Sequence, residues 1–553
     1  MKGPLQQALR DALDRAAAAG AIPAVGIRAT EIPVTVPEKQ FGDFATSLPM
    51  SLAKEAKRPP REVADAIVAH LDRDAVGAAE VSIAGAGFVN FRMAPAYWHR
   101  LAAEMATGPA LGIPKAGTGR RVQVEFVSAN PTGPLHVGHA RNAAVGDVVA
   151  SLLAETGWKV EREYYLNDHG TQMDTLGRST LAHYLTKLGR TTPLPENGYK
   201  GDYVGEVAAE AVARWGDRYL DAAEEDALPE FRGLAGDFIL EGIREDLLRF
   251  GVRFDVWFRE SELHATGAVE ATLDRARSEG VAYENEGATW FATSRFGDDK
   301  DRVVVRSTGE KTYYAADIAY LEHKFARGFD RIIDVWGKDH HGYVPRMMAA
   351  LRAFGHPDDA FAVILVTLVN LLRGGEIASM STRSGEFLTL REIMDEVGVD
   401  ASRYFLLRRR SDSPLDFDLA LAVQQSQENP VYYVQYAHAR IRSIFGKASA
   451  EGFAEETTPP DLSGLTEPEE FALIRHLAHF PETVAEAAAR LEPHRLTFYL
   501  EETAAIFHPY YNRHRIMTPD PALSRARLFL CHLTDRVLLH GLRLLGVSTP
   551  DSM

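Results

Sequence analysis

Val122, Val124 and Phe126 fall on one face of residues 121–127, the two-residue period of a strand. The following Asn130-Pro131-Thr132-Gly133-Pro134 can neither prolong a strand nor open a long helix, so it predicts a turn. Beyond His139 the apolar positions Val145, Val148, Val149, Leu152 and Leu153 recur at helical spacing, and Gly157 marks the helix end. A second strand-like run covers residues 160–166. The pattern is strand, turn, helix, strand, with two histidines where the helix begins. Open α/β sheets bind ligands at such junctions, because the free N–H groups of a helix start attract anions.

Elsewhere the patterning predicts three units. Residues 1–112 read as a small α+β module: an amphipathic helix over 5–18, a Pro-punctuated strand region over 22–37, a helix over 61–71 and strand-like 81–93. A Gly/Pro-rich linker over 108–119 precedes an α/β domain over 113–400. Strand-like segments in that domain fall at 254–258, 290–293, 303–307, 332–336 and 361–369. A long, acidic, helical stretch at about 178–250 interrupts its sheet pattern. From 401 to 553 the pattern is almost wholly helical, with a loop at 449–460.

Composition narrows the chemistry. A chain of 553 residues exceeds one core, and 46% hydrophobic with 25% charged residues suits an ordinary globular protein. The single Cys531 excludes an internal disulfide and a cysteine-based zinc site, and its apolar neighbours predict a buried thiol. The sequence has no leader-like start and no long uncharged apolar span, which predicts a cytoplasmic protein with no membrane partner. The formal charge of -16 is a global sum that leaves room for local basic surfaces. Arg403, Arg408, Arg409 and Arg410 are one candidate, and Arg440, Arg442 and Lys447 another. Each cluster also suits a solvated helix face.

The residues at the first junction carry a resemblance. His136-Val137-Gly138-His139 resembles the HIGH signature of class I aminoacyl-tRNA synthetases. With Glu125 and Ser128-Ala129-Asn130-Pro131 before it, the stretch is similar to arginyl-tRNA synthetases in particular. The resemblance implies a class I Rossmann-like α/β catalytic domain with a helical insertion and an all-α anticodon-binding domain. It also implies that the N-terminal module, through Gly42-Asp43-Phe44-Ala45-Thr46, contacts tRNA. Arginine, ATP with its Mg2+, and tRNA(Arg) would be the partners of an expected monomer. The products would be arginyl-adenylate and pyrophosphate, then arginine esterified to the terminal ribose, with no covalent protein nucleophile. Pro134, His136, Gly138 and His139 would bind ATP, with the histidines stabilising phosphate charge in the transition state. Two histidines at this spacing also suit a metal pair, but no further ligand lies nearby in the sequence, and no metal site is assigned.

A guanidinium group calls for carboxylates. By resemblance Glu125 and Asp317 supply them, while Asn130, His139, Tyr313, Asp339 and His341 complete the arginine pocket. Spacing alone favours Asp317 as a carboxylate satisfying a helix N-terminus. Its place in Tyr313-Tyr314-Ala315-Ala316-Asp317, after Arg306-Ser307-Thr308-Gly309, carries the likeness. Asn167-Asp168-His169-Gly170-Thr171-Gln172 resembles a polar wall of the same pocket.

The family's second signature, KMSKS, corresponds to Ser379-Met380-Ser381-Thr382-Arg383. Ser379 and Thr382 replace its lysines, and Gly133 occupies the place where some relatives carry a substitute lysine. Met380, Ser381, Thr382 and Arg383 are therefore nominated for ATP, with Arg383 as the catalytic cation. The departure leaves open a catalytically silent RNA-binding relative, or a ligase that activates another amino acid without tRNA. For tRNA, Tyr432, Tyr436 and Arg440 share one helix, where rings stack bases and arginine meets phosphate. A Tyr-rich packing helix is the plainer alternative.

Overall fold

The computed structural model describes residues 2–168, 170–377 and 388–553. At its centre lies a five-stranded, all-parallel sheet. The strand order is Phe361–Val366, Arg331–Gly337, Arg121–Glu125, Lys159–Leu166, Val256–Arg259. The chain leaves Arg121–Glu125 toward one edge and later returns to build the other. The carboxyl ends of Arg121–Glu125 and Arg331–Gly337 thus form the switch point where parallel sheets hold ligands.

Helix Val137–Glu155 is buried on nearly every side. It packs on the sheet and also meets helices Val399–Leu407, Phe480–Arg490 and Pro521–Leu545. Its apolar residues therefore run round the whole helix rather than along one stripe. Gly146 permits the close approach to the sheet, since a Cβ there would stand 2.2 Å from the Phe126 ring.

The helical insertion consists of Thr171–Lys187, Asp202–Trp215 and Glu224–Arg249, packed on one another, and it begins a little before the expected 178. The strand-like segments at 290–293 and 303–307 lie outside the main sheet. They correspond to Ala288–Phe291 and Arg302–Val305 of a small antiparallel sheet completed by Ala282–Asn285.

In the N-terminal module, strands Phe44–Thr46, Phe88–Met93 and Ala78–Ala84 form a second small sheet, with Phe88–Met93 in the middle. The strand region expected over 22–37 does not form; only Thr35 pairs, with Ala45. Pro23, Pro33 and Pro37 remove backbone donors that a ladder needs. Beyond residue 400 six long or medium helices run from Val399–Leu407 to Pro521–Leu545. One strand interrupts them: Leu415–Asp418 pairs in parallel with Val369–Arg373. Cys531 is fully buried in Pro521–Leu545. Among the described residues no helix is long and apolar enough to cross a membrane.

Candidate active site

The first strand ends at Glu125, and the backbone then kinks. Val127 and Ser128 take φ values of 66° and 42°, a left-handed conformation that is costly for a β-branched residue. Two hydrogen bonds hold it. The Val127 N–H donates to Asn142 Oδ1 at 2.7 Å, and Asn142 Nδ2 donates to the Val335 carbonyl at 2.9 Å. The kink brings the Ser128 hydroxyl to 2.9 Å from Glu125 Oε1, while the Tyr165 N–H donates to the same hydroxyl at 3.1 Å. Further along the turn, Tyr203 of the helical insertion donates its phenol to the Thr132 carbonyl at 2.8 Å.

His136 caps helix Val137–Glu155. Its Nδ1 accepts the Gly138 N–H at 3.1 Å, and His139 Nδ1 accepts the His136 N–H at 3.3 Å. With both Nδ1 atoms accepting, each neutral ring carries its proton on Nε2. The rings stack with centroids 3.8 Å apart. Burial lowers the pKa of both, that of His139 to about 3, with the neighbouring His136 adding to it. The helix start therefore offers uncharged donors, backed by a helix dipole that favours anions. Gly138 is required here, because a Cβ would stand 2.9 Å from His136 Cε1. The chain after segment 378–387 is bonded to this turn: the Leu390 N–H donates to the Leu135 carbonyl at 2.7 Å, and Val137 N–H to the Leu388 carbonyl at 3.3 Å.

Across the sheet, Asp334, Glu125 and Glu163 are register partners on three adjacent strands. Such a row repels itself unless cations answer it. Helix Tyr313–Ala326 and the residue that caps it supply the answer. Lys324 Nζ lies 2.5 Å from Glu125 Oε2 and 2.8 Å from Asp334 Oδ1, with its side chain 1% exposed. The Tyr320 hydroxyl donates to Glu163, and Arg327 meets Glu161 and Glu163. Burial opposes the Lys324 ammonium, but Asp334, Glu125 and Glu163 together hold its pKa above the ordinary value. Asp317, on the same helix, accepts a hydrogen bond from the Tyr343 hydroxyl. Burial pushes its carboxyl up to about 6, against the lowering effect of that bond.

The histidine turn and two members of the carboxylate row, Glu125 and Asp334, open into one cleft of about 960 Å³, while Glu163 is fully buried and not among its lining. Glu125, Asn130, His136, Gly138, His139, Asp317, Asp339 and His341 all line the cleft. Pro134 belongs to the turn but is not among the lining residues. Tyr313, 77% exposed, is not among the lining residues; it lines a neighbouring hollow of about 240 Å³ with Asn130 and Gln172, and Asn130 is common to both. Asn130 Nδ2 donates to Gln172 Oε1 at 2.7 Å, which joins the turn to the insertion. Asp339 and His341 sit on the exposed loop Lys338–Tyr343, where the Lys338 carbonyl lies 3.1 Å from His341 Nδ1. Met380, Ser381, Thr382 and Arg383 lie outside the described residues.

The sequence reading gave no individual role to five residues of this cleft. Tyr343 and Tyr165 wall the carboxylate end, and Lys338 is an exposed cation on the lining. Leu368, 79% exposed, offers an apolar platform beside Thr367. Lys324 was detectable, because Asp317, Tyr320 and Lys324 place polar groups at helical spacing on an otherwise apolar face. Among the described residues, the one group with three candidate metal ligands is Glu467, Glu469 and His514, which is not part of this cleft.

The two basic clusters behave differently. Arg403 is fully buried and belongs to no surface, while Arg408 pairs with Glu501 at 2.9 Å. A side chain with carbonyl partners on several segments leaves no mark in a linear charge pattern. Tyr432 and Tyr436 stack with centroids 5.9 Å apart on helix Pro430–Ala450. Arg440 lies against the Tyr436 and Tyr511 rings and meets His508 Nδ1 at 3.0 Å. The half-exposed cluster thus pairs ring faces with a cation.

Comparison with known proteins divides the chain in three. Residues 4–93 match the family described as arginyl tRNA synthetase N terminal domain. Residues 105–426 match tRNA synthetases class I (R), catalytic domain, and residues 434–553 match the DALR anticodon binding domain. The arginine--tRNA ligase of Desulfosudis oleivorans is 52% identical over 561 residues, covering 100% of both chains. That of Citrifermentans bemidjiense is 50% identical over 529 residues, covering 95% of this chain and 96% of the relative. The solved structure of Thermus thermophilus arginyl-tRNA synthetase superimposes with a TM-score of 0.76 at 26% identity, covering 99% of this chain and 100% of that one.

Proposed function

The chain belongs to the arginyl-tRNA synthetase family, and on that premise we propose how its residues share the reaction. The enzyme activates L-arginine with ATP, forming arginyl-adenylate and pyrophosphate, and transfers the arginyl group to the 3′-terminal ribose of tRNA(Arg). The observation that carries the residue assignment is the joining of two opposite environments in one cleft. One end holds buried carboxylates in excess over their cations; the other is a helix start with two neutral imidazole donors.

Asp317 receives the substrate guanidinium, with Tyr343 fixing the carboxylate. Glu125 adds negative potential and directs the group, although its oxygens are already engaged by Ser128 and Lys324. Asn130, Tyr313, Asp339 and His341 orient the amino and carboxylate end. That orientation brings the arginine carboxylate to the α-phosphate of ATP for in-line attack. His136 and His139 donate from Nε2 to the phosphate oxygens as charge builds on the reacting phosphorus. Gly138 and Leu368 make room and a flat apolar wall for the base, and Pro134 shapes the turn that leads to the histidines. Mg2+ enters as the ATP chelate, held by substrate phosphates, its usual mode of binding. Arg383, with Met380, Ser381 and Thr382, supplies the phosphate contacts of the second signature, and Lys338 on the cleft lining adds positive charge.

We place the domain boundaries at 112/113 and 400/401, and the reaction in the cytoplasm by a monomer. Tyr432, Tyr436 and Arg440 receive the anticodon, with rings for bases and the guanidinium for phosphate. Charging of tRNA(Arg) with labelled amino acids tests the whole reading. Arginine should be esterified. Citrulline, which has the same shape without the charge, should be rejected by at least about a hundredfold, because it leaves Asp317 unpaired. Equal use of citrulline would refute the guanidinium assignment.

A further inference from the structure

We infer that Arg403 is a positioning residue that couples the anticodon-binding helices to the helix carrying the active-site histidines. Arg403 lies on Val399–Leu407 and is fully buried. Its Nη2 donates to Asp147 Oδ2 at 2.6 Å, on the histidine helix Val137–Glu155. Its Nε donates to the Leu545 carbonyl at 2.9 Å, at the end of the last helix of the anticodon-binding domain. Its Nη1 donates to the Phe250 carbonyl at 2.9 Å, where the insertion helix Glu224–Arg249 ends. Both carbonyls sit at helix C-termini, whose partial negative charge favours a cation.

The surroundings are shaped to this guanidinium. Gly546 and Gly251 turn the chain away from those two helices with φ of 67° and 82°. A Cβ on Gly546 would stand 2.4 Å from Arg403 Nη2, and one on Gly251 would stand 3.6 Å from Nη1. Asp147 also ties to the sheet, through Arg162 Nε at 3.2 Å on strand Lys159–Leu166. A planar fork with donors on three sides can hold four segments at once, which a lysine cannot. Asp147 lies roughly 15 Å along the helix from its histidine end, at 1.5 Å per residue. A displacement of Pro521–Leu545 on anticodon binding therefore reaches His139 through Arg403, Asp147 and one stiff helix. Such coupling is a free energy shared by both sites, whichever side is perturbed.

The test compares cognate tRNA(Arg) with a tRNA(Arg) carrying one anticodon substitution, using kcat and KM in aminoacylation and normalising to titrated active sites. In the wild-type enzyme the substitution should lower kcat as well as raise the KM for tRNA; an effect confined to KM would overturn the inference. Arg403→Lys should lower kcat on cognate tRNA about tenfold, leave the KM for ATP and arginine within about twofold, and shrink the anticodon effect on kcat below about twofold. A merely structural arginine would lower kcat on both tRNAs by the same factor, and that result would refute coupling. Should Arg403→Lys fail to fold, Asp147→Asn reads the same quantity. Loss of the anticodon effect on kcat is expected there too, and its persistence would overturn the inference.

Discussion

Lys324 sets its ammonium 2.5 Å from the Glu125 carboxylate, in a place nearly sealed from water. The same group reaches Asp334, so one cation from the Asp317 helix pins two neighbouring strands. The ion pair is buried, and removal of one partner costs more than the pair contributes net.

Lys324→Met should therefore destabilise the protein by about 3–5 kcal/mol in denaturant titration. It should also raise the KM for arginine at least about tenfold, because Glu125 loses the contact that aims it. Lys324→Met combined with Asp334→Asn removes one of the stranded charges, so it should recover much of the stability while the KM stays high. Recovery of both together would mean that Lys324 has no part in arginine binding.

Asp317 gives the cleft a pH dependence of known sign. Burial raises its carboxyl to about 6, so the free enzyme holds it ionised above that pH and protonated below. A guanidinium binds the ionised form and pulls the pKa down again. The KM for arginine should be flat above about pH 7 and rise toward about tenfold per unit below the pKa. Asp317→Asn should show a high KM with no such acid limb. A KM for arginine that falls on acidification would contradict the assignment.

The roles proposed for Arg383 and Lys338 at the phosphates can be told apart by mutation. Arg383→Ala should lower kcat for adenylate formation by about a hundredfold, the scale of one lost transition-state donor. Lys338→Ala should act more weakly and chiefly on the KM for ATP, since an exposed lysine is screened by solvent and salt. Single-turnover adenylate formation at two salt concentrations distinguishes them. Unchanged kcat in Arg383→Ala would move the catalytic cation elsewhere.

Much of this was legible in the sequence, for local reasons. The strand–turn–helix around His136 and His139 announces itself through periodicity and prolines within a short window. Asp317 was nominated only through the residues around it, because its spacing alone favours a capping carboxylate, and the structure places it in the cleft. What escaped was non-local. The row of Asp334, Glu125 and Glu163 exists only once three strands are set in register. Arg403 stands in a run that looks like a basic surface, but its partners at Asp147, Phe250 and Leu545 are each more than a hundred residues away. The segment 22–37 has strand-like residues, yet its prolines leave it a single bridge.

Arginine-dependent ATP–pyrophosphate exchange in the presence of tRNA(Arg) bears most directly on the joining of the two ends of the cleft. The wild-type enzyme should exchange with arginine. His139→Ala should cut the rate by about 10²–10³ while retaining tRNA affinity, and Asp317→Asn should need far more arginine for the same rate. Exchange by His139→Ala at the wild-type rate, or no exchange by the wild-type enzyme with tRNA(Arg) present, would contradict it.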